Sequence, residues 1–299
     1  MSLLLTGCTA DGSTKIGSGS LSSKDGEDSD ANSSSSFSPA VSLLDAIPTK
    51  LGTFSLTSSN APSLSDDELR GIQSALDAVE DTAEAAFVMY DMDSGFGIGY
   101  NVDTAIYGAS SFKAPYALYL CEDLEENGLV ELTENDRSLI EAAILYSDND
   151  AYVALRDAYD SVDFDAWVTA LGADDAVYRS DSHYPWYCAR SSAKLWTEMY
   201  LYLQTGSEDA AWLEDLLGNT ETSFFRLSLG DTGATFRSKA GWCAGSSDIY
   251  NSICEAGLVE LDGRTYLLSV MTSLPYGDAQ VNLFYDVVEA VFASRNLLA

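Results

Sequence analysis

Apolar residues recur at Leu69, Ile72, Leu76 and Val79, the spacing of one helical face. Ser65 with Glu68 three positions later forms a capping box, so a helix is expected to begin there. Next, Ala86-Phe87-Val88-Met89-Tyr90 is an unbroken apolar run of strand length, and Asp93-Ser94-Gly95 turns it into a second strand, Phe96 to Tyr100. The long middle of the chain has helical periodicity, with helices expected near 111–126, 134–146, 150–160, 164–171 and 191–204. Strands return after Phe236, and Asp262-Gly263 is a hairpin turn into Arg264 to Thr272. Phe284, Val287, Val288, Val291 and Phe292 share one face of a closing helix. Helix, two strands, helical block, three strands, helix is an α+β order.

Ahead of this pattern the chain changes character. From Thr9 to about Pro39 it is Gly, Ser, Asp and Thr with little to bury, a composition that cannot offset its ordering entropy. We therefore divide the chain into residues 1–8, a linker and arm over 9–62, and a folded unit over 63–299. Leu5-Thr6-Gly7-Cys8 resembles a bacterial lipobox, which makes Cys8 a candidate for lipid attachment. The basic and longer apolar segments of a signal peptide do not precede it.

The net charge of −32 disfavours nucleic acid and anionic lipid as partners. No stretch reaches the roughly 18 apolar residues of a membrane-spanning helix. Four cysteines follow Cys8, at 121, 188, 243 and 254, with no Cys-x-x-Cys spacing, so neither a zinc nor a redox centre is expected. Cys243 and Cys254 either face each other across a hairpin or stay free and buried. No cofactor is expected, and the chain is expected to be a monomer.

Lysines occur only at 15, 24, 50, 113, 194 and 239, and two of these fall in short motifs set in a fixed order. The motifs are Ser110-Ser111-Phe112-Lys113, Ser147-Asp148-Asn149 and Lys239-Ala240-Gly241. Residues three apart share a helix face, so Lys113 is expected one turn beneath the Ser110 hydroxyl. The positive helix N-terminus stabilises charge developing near Ser110. A buried lysine beside another cation has its pKa lowered and can then take a proton at neutral pH. A small residue followed by Gly241 on a strand lets a substrate backbone approach the strand edge. Ser191-Ser192-Ala193-Lys194 has the same spacing but follows Ser147-Asp148-Asn149, and it is expected to be an ordinary helix start with a solvated lysine.

The three motifs together resemble those of class A β-lactamases and penicillin-binding proteins, over about Ser63 to Ala299. The resemblance implies an antiparallel sheet of about five strands flanked by the N- and C-terminal helices. An all-helical second lobe completes the fold, with the active site between the two. It implies a serine hydrolase in which Ser110 forms an acyl-enzyme, Lys113 is the base and Lys239 anchors a carboxylate. Ser147 passes a proton to the leaving nitrogen and Asn149 binds the substrate amide, while Asp148 is structural. Tyr146 fits the group's usual Tyr-Ser-Asp-Asn. Asn149, Ala240, Gly241 and Trp242 would bind substrate, and the backbone N–H groups of Ser110 and Trp242 would form the oxyanion hole. Phe224-Phe225-Arg226-Leu227 resembles an apolar-apolar-Arg stretch of the group, with Arg226 structural. The substrate would be a β-lactam or a D-Ala-type amide of cell-wall peptide, and the location extracytoplasmic, anchored by lipid if Cys8 is acylated.

Departures set limits on that reading. Ala240 lacks the hydroxyl usual at its position, and Ser147 follows Ser110 closely enough to imply a trimmed helical lobe. Deacylation in the class A group uses a glutamate, yet Leu171 to Arg190 contains none, only Asp174, Asp175 and Asp181. His183, the single histidine, has no Gly-x-Ser-x-Gly nucleophile elbow to serve. The aromatics from Tyr184 to Tyr187 either line the cleft or belong to the core. The alternatives are a D-alanyl-D-alanine peptidase that deacylates β-lactams slowly, or a non-catalytic cell-surface binding or sensing domain.

Overall fold

A computed structural model describes residues 57–59 and 66–298, apart from 161, 163, 178–182 and 246. The lipobox, most of the linker, Ser65 of the capping box and Asp181 lie outside the described residues. The short strand β1 (Thr57–Ser59) and helix α1 (Asp66–Glu80) lead into the hairpin β2 (Ala85–Asp91) and β3 (Phe96–Tyr100). Strand β4 (Ile106–Tyr107) and a 3-10 turn (Ala109–Phe112) then deliver the chain to α2 (Lys113–Leu118). The helical lobe continues with α3 (Glu134–Leu145), α4 (Asn149–Tyr159) and α5 (Phe164–Ala170). After β5 (Trp186–Tyr187) come α6 (Ala189–Gln204), α7 (Glu208–Gly218) and α8 (Phe224–Leu229). The chain ends with β6 (Thr235–Cys243), β7 (Ser252–Leu261), β8 (Arg264–Thr272) and α9 (Asp278–Ala293).

The sheet is antiparallel with strand order β1-β3-β2-β8-β7-β6, the five expected strands plus β1 of the arm paired at one edge. Its two faces serve two cores. Ile72, Leu76 and Val79 of α1 and Phe284, Val287, Val288 and Val291 of α9 bury one face, as their periodicity predicts. The other face carries the helical lobe, through Phe112, Tyr116, Leu120, Trp196 and Met199. Asp262 and Gly263 both have positive φ, 54° and 74°, which is the hairpin turn their sequence predicts.

The helix expected over 111–126 is instead three segments: the 3-10 turn, α2, and a π-helical stretch Tyr119–Glu126. Helices α7 and α8 were not anticipated. Ser207 and Ser223 cap them, each side chain accepting from the backbone three positions on. Helix α6 starts at Ala189, two residues earlier than expected, because the Cys188 sulfur accepts from Ser191 N as a cap. All four described cysteines are buried, and none is joined in a disulfide. Cys243 pairs with Ser252 and Cys254 with Gly241, so the two thiols do not face each other across the hairpin.

Candidate active site

Ser110 is presented by a strained turn. Ala109 just before it has φ 44°, a left-handed conformation that costs a non-glycine residue energy and persists only where the surroundings hold it. Here they do. Gly108 N donates to Pro185 O at 3.0 Å, and Gly108 O accepts from Ser111 Oγ at 2.7 Å and from the Cys254 thiol at 3.1 Å. Ser111 Oγ also pairs with Tyr187 OH at 2.9 Å. Gly108 itself has no space for a side chain, since a Cβ would stand 2.4 Å from the Tyr187 ring.

Strand β6 presses on this turn from the sheet edge. A Cβ on Gly241 would lie 2.4 Å from Ser111 N, 2.6 Å from Gly108 O and 2.9 Å from Ser110 N. The glycine was expected to make room for substrate, but the Ser110 turn fills the room on this side of the strand. Ala240 corrects the sequence reading further. With Lys239 directed to the site, strand alternation turns Ala240 to the opposite face, where it is fully buried against the terminal-helix core. Its side chain is turned from the site, while its carbonyl accepts from Lys239 Nζ. The Trp242 ring packs on Phe224 and Tyr276, each at 5.7 Å, so only the backbone of Trp242 remains to serve Ser110.

The helical lobe brings the second motif. Ser147 has φ 58° at the junction of α3 and α4, and Asp148 caps α4 by accepting from Ala151 N at 2.8 Å, the structural role expected of it. That junction joins two buried lysines. Lys113 Nζ donates to Ser147 O at 2.6 Å and to Asn149 Oδ1 at 2.7 Å, while Lys239 Nζ donates to Ser147 Oγ at 3.0 Å and to Ala240 O at 3.0 Å. Burial pushes the Lys239 ammonium down to about 8, against an opposing pull from Glu255. Glu255 is itself fully buried, which raises its pKa, and it accepts from Ser223, Ser238 and the first backbone N–H groups of α8. Arg226 donates to the Thr220 and Gly218 carbonyls, a structural position as expected.

Aromatic rings close the site on the side of Asn149. Tyr184 OH donates to Asn149 Oδ1 at 2.8 Å, and Lys113 Nζ lies 5.7 Å from the ring centroids of both Tyr152 and Tyr184. Beyond Tyr184 the rings of Tyr107, Trp186 and Tyr250 pack on one another, with centroids 5.1 to 5.4 Å apart. The three aromatics of this stretch thus divide: Tyr184 reaches the site, Trp186 is half-buried, and Tyr187 is wholly buried beneath the Ser110 turn. The backbone carbonyl of His183 is held by Tyr152 OH and Arg156, and its imidazole lies 3.5 Å from Asp157.

Lys194 is not solvated, contrary to expectation. It is buried, and its Nζ donates to Gly172 O at 3.0 Å, pinning the segment after α5. Asp175 of that segment accepts from Cys188 N at 2.8 Å, and Asp174 is exposed. Among the described residues no cluster of His, Cys, Asp and Glu is arranged to hold a metal ion, and no helix is long and apolar enough to cross a membrane.

Comparison with known proteins places these features in context. The model of the beta-lactamase enzyme family matches residues 135–294, a span that holds Ser147, Asn149 and Lys239 and begins after Ser110 and Lys113. Among solved structures, PBP-A is similar at 20% identity and TM-score 0.63, over 76% of this chain and 96% of that one. A beta-lactamase from Sphaerobacter thermophilus matches at 18% identity and TM-score 0.62, over 76% and 97% of the two chains. A class A beta-lactamase from Bacteroides cellulosilyticus matches at 16% and 0.61, over 76% and 98%. At these identities the likeness is one of fold. No curated protein matches the chain.

Proposed function

The chain belongs to the beta-lactamase enzyme family, and we propose that it is a serine acyl-transfer hydrolase acting through Ser110 on β-lactams or on D-Ala-type amides of cell-wall peptides. The observation that carries this reading is the convergence of two buried lysines on Ser147, beside a turn strained so as to present Ser110. Lys113 takes the Ser110 proton as the oxygen attacks the amide carbon. The C–N bond breaks, and that proton returns to the leaving nitrogen by way of Ser147. Lys239 holds the substrate carboxylate. The backbone N–H groups of Ser110 and Trp242 receive the oxyanion, a contribution worth about 10² to 10³ in rate where one such donor has been removed.

Hydrolysis of the acyl-enzyme needs a positioned base, which speeds such a step by about 10² to 10⁴. Asp175 gives one oxygen to Cys188 N, Asp174 is exposed, Asp181 lies outside the described residues, and no glutamate lies between Leu171 and Arg190. This favours the peptidase reading, in which β-lactams acylate the serine and leave slowly. A point mutant of the structurally similar PBP-A has been captured as an acyl-enzyme with penicillin G. We further propose an extracytoplasmic monomer, tethered through Cys8.

Intact-protein mass spectrometry after adding benzylpenicillin tests this function. A single covalent adduct should form and persist for minutes or longer. Absence of any adduct would refute acyl transfer, and rapid catalytic nitrocefin turnover would refute slow release.

A further inference from the structure

We propose that Tyr184 is a positioning residue that sets the orientation of the Asn149 amide and so makes acylation selective for substrates carrying an acyl-amide carbonyl beside the scissile bond. This rests on the reading of Ser110 as the nucleophile.

Lys113 Nζ donates to Ser147 O at 2.6 Å and to Asn149 Oδ1 at 2.7 Å, two bonds that the two N–H groups of a neutral amine supply while its lone pair is left for the Ser110 proton. A carbonyl oxygen has two lone pairs, and Tyr184 OH takes the second at 2.8 Å. Turning the amide over would set its NH₂ against the N–H of Lys113 and would give up the bond donated by Tyr184, whose hydroxyl would have to turn round and accept instead. Asn149 is thereby fixed as an N–H donor toward anything it binds, and the partner that suits a donor is a carbonyl oxygen.

The phenol is held in place from both sides of its own backbone. The carbonyl of His183, just before it, accepts from Tyr152 OH at 3.0 Å and from Arg156 at 2.8 Å, which ties it to α4. The carbonyl of Pro185, just after it, accepts from Gly108 N at 3.0 Å, which ties it to the turn that presents Ser110. Its ring packs on Tyr152 with centroids 5.0 Å apart, and Tyr184 is only 7% exposed. Tyr184 therefore spans the nucleophile turn and the helix carrying Asn149.

Removing the hydroxyl should loosen the amide while keeping the ring. The test compares second-order acylation rates of wild type and Tyr184→Phe with two probes. Benzylpenicillin has the acyl-amide carbonyl, and 6-aminopenicillanic acid has a free amine in its place. The variant should lose about tenfold more rate with benzylpenicillin than with 6-aminopenicillanic acid, the scale of one hydrogen bond. In an Asn149→Ala background the same substitution should produce no such difference. Equal losses with both probes, or no loss with either, would overturn the role of Tyr184 while leaving the acyl-transfer reading intact. Failure of wild type to be acylated by either probe would overturn that reading and this inference with it.

Discussion

Two Ser-x-x-Lys motifs open helices in this molecule, and only one of them stands in the candidate site. Ser110 and Ser191 are 6% and 5% exposed, and Lys113 and Lys194 are 1% and 6% exposed, so burial does not separate them. Their surroundings do. Lys113 meets Ser147 and Asn149, with the second lysine, Lys239, on the far side of Ser147. Lys194 reaches Gly172 O and fastens a loop, while the Ser191 N–H and hydroxyl pair with the Cys188 sulfur. The same spacing yields a catalytic candidate in one place and a tether in the other. The difference comes from what arrives from distant parts of the chain.

Breaking each lysine in turn should produce opposite effects. Lys113→Met is expected to slow labelling by a fluorescent penicillin about 10² to 10⁴-fold, the range for loss of a general base. Lys194→Met should leave labelling at the wild-type rate and lower the melting temperature, since a carbonyl stripped of its donor costs about 1–3 kcal/mol. Slow labelling in both variants would mean that the tethered loop also belongs to the catalytic machinery.

Each motif also has a glycine packed against it, and the two are not equivalent. A Cβ on Gly241 would strike backbone atoms of the Ser110 turn, which cannot yield without moving Ser110. A Cβ on Gly172 would come 2.9 Å from the flexible tip of Lys194. Gly241→Ala should therefore reduce acylation by about 10² to 10³, as loss of an oxyanion donor does. Gly172 has φ 68°, so Gly172→Ala should cost about 1 kcal/mol of stability through its backbone and spare the labelling rate. Equal labelling rates for the two variants would remove the claim that β6 positions the serine.

A smaller effect concerns pH. Burial lowers the Lys239 pKa from 10.5 to about 8, so between those values the unfolded chain binds a proton that the folded chain has released. Stability from this residue then rises with pH across that window, and below about 8 the cost of burying the charge is felt in full. Lys239→Met should accordingly gain more over wild type at pH 7 than at pH 10, by at most about 3 kcal/mol. The acylation rate of wild type should fall on the alkaline side with a midpoint near 8 as the carboxylate anchor loses its charge, and the variant should lack that limb. A stability difference independent of pH would contradict the assignment.

Much of this was legible in the chain because the information was local. Ser110 with Lys113, and Ser147 with Asn149, are pairs a few residues apart, and the Asp262-Gly263 turn and the α9 face are short patterns. The Ala240 side chain is buried on the face opposite Lys239, which strand alternation alone would have told. Lys194 was taken for surface because nothing near it in sequence reveals that Gly172 crosses it. Tyr184 stood among aromatics that could line the cleft or fill the core, and nothing in the sequence separated the two, since its value lies in reaching Asn149 from another loop. Glu255 was missed for a similar reason: in a strand of apolar neighbours, its partners are the capping serine and N–H groups of a helix thirty residues earlier.

Mapping the adduct tests the central claim most directly. After reaction with benzylpenicillin, the protein is digested and the modified peptide identified by mass. The acyl group should sit on Ser110 and be absent from the peptide carrying Ser191, and Ser110→Ala should form no adduct. An acyl group on Ser191, or labelling that survives in Ser110→Ala, would contradict the account.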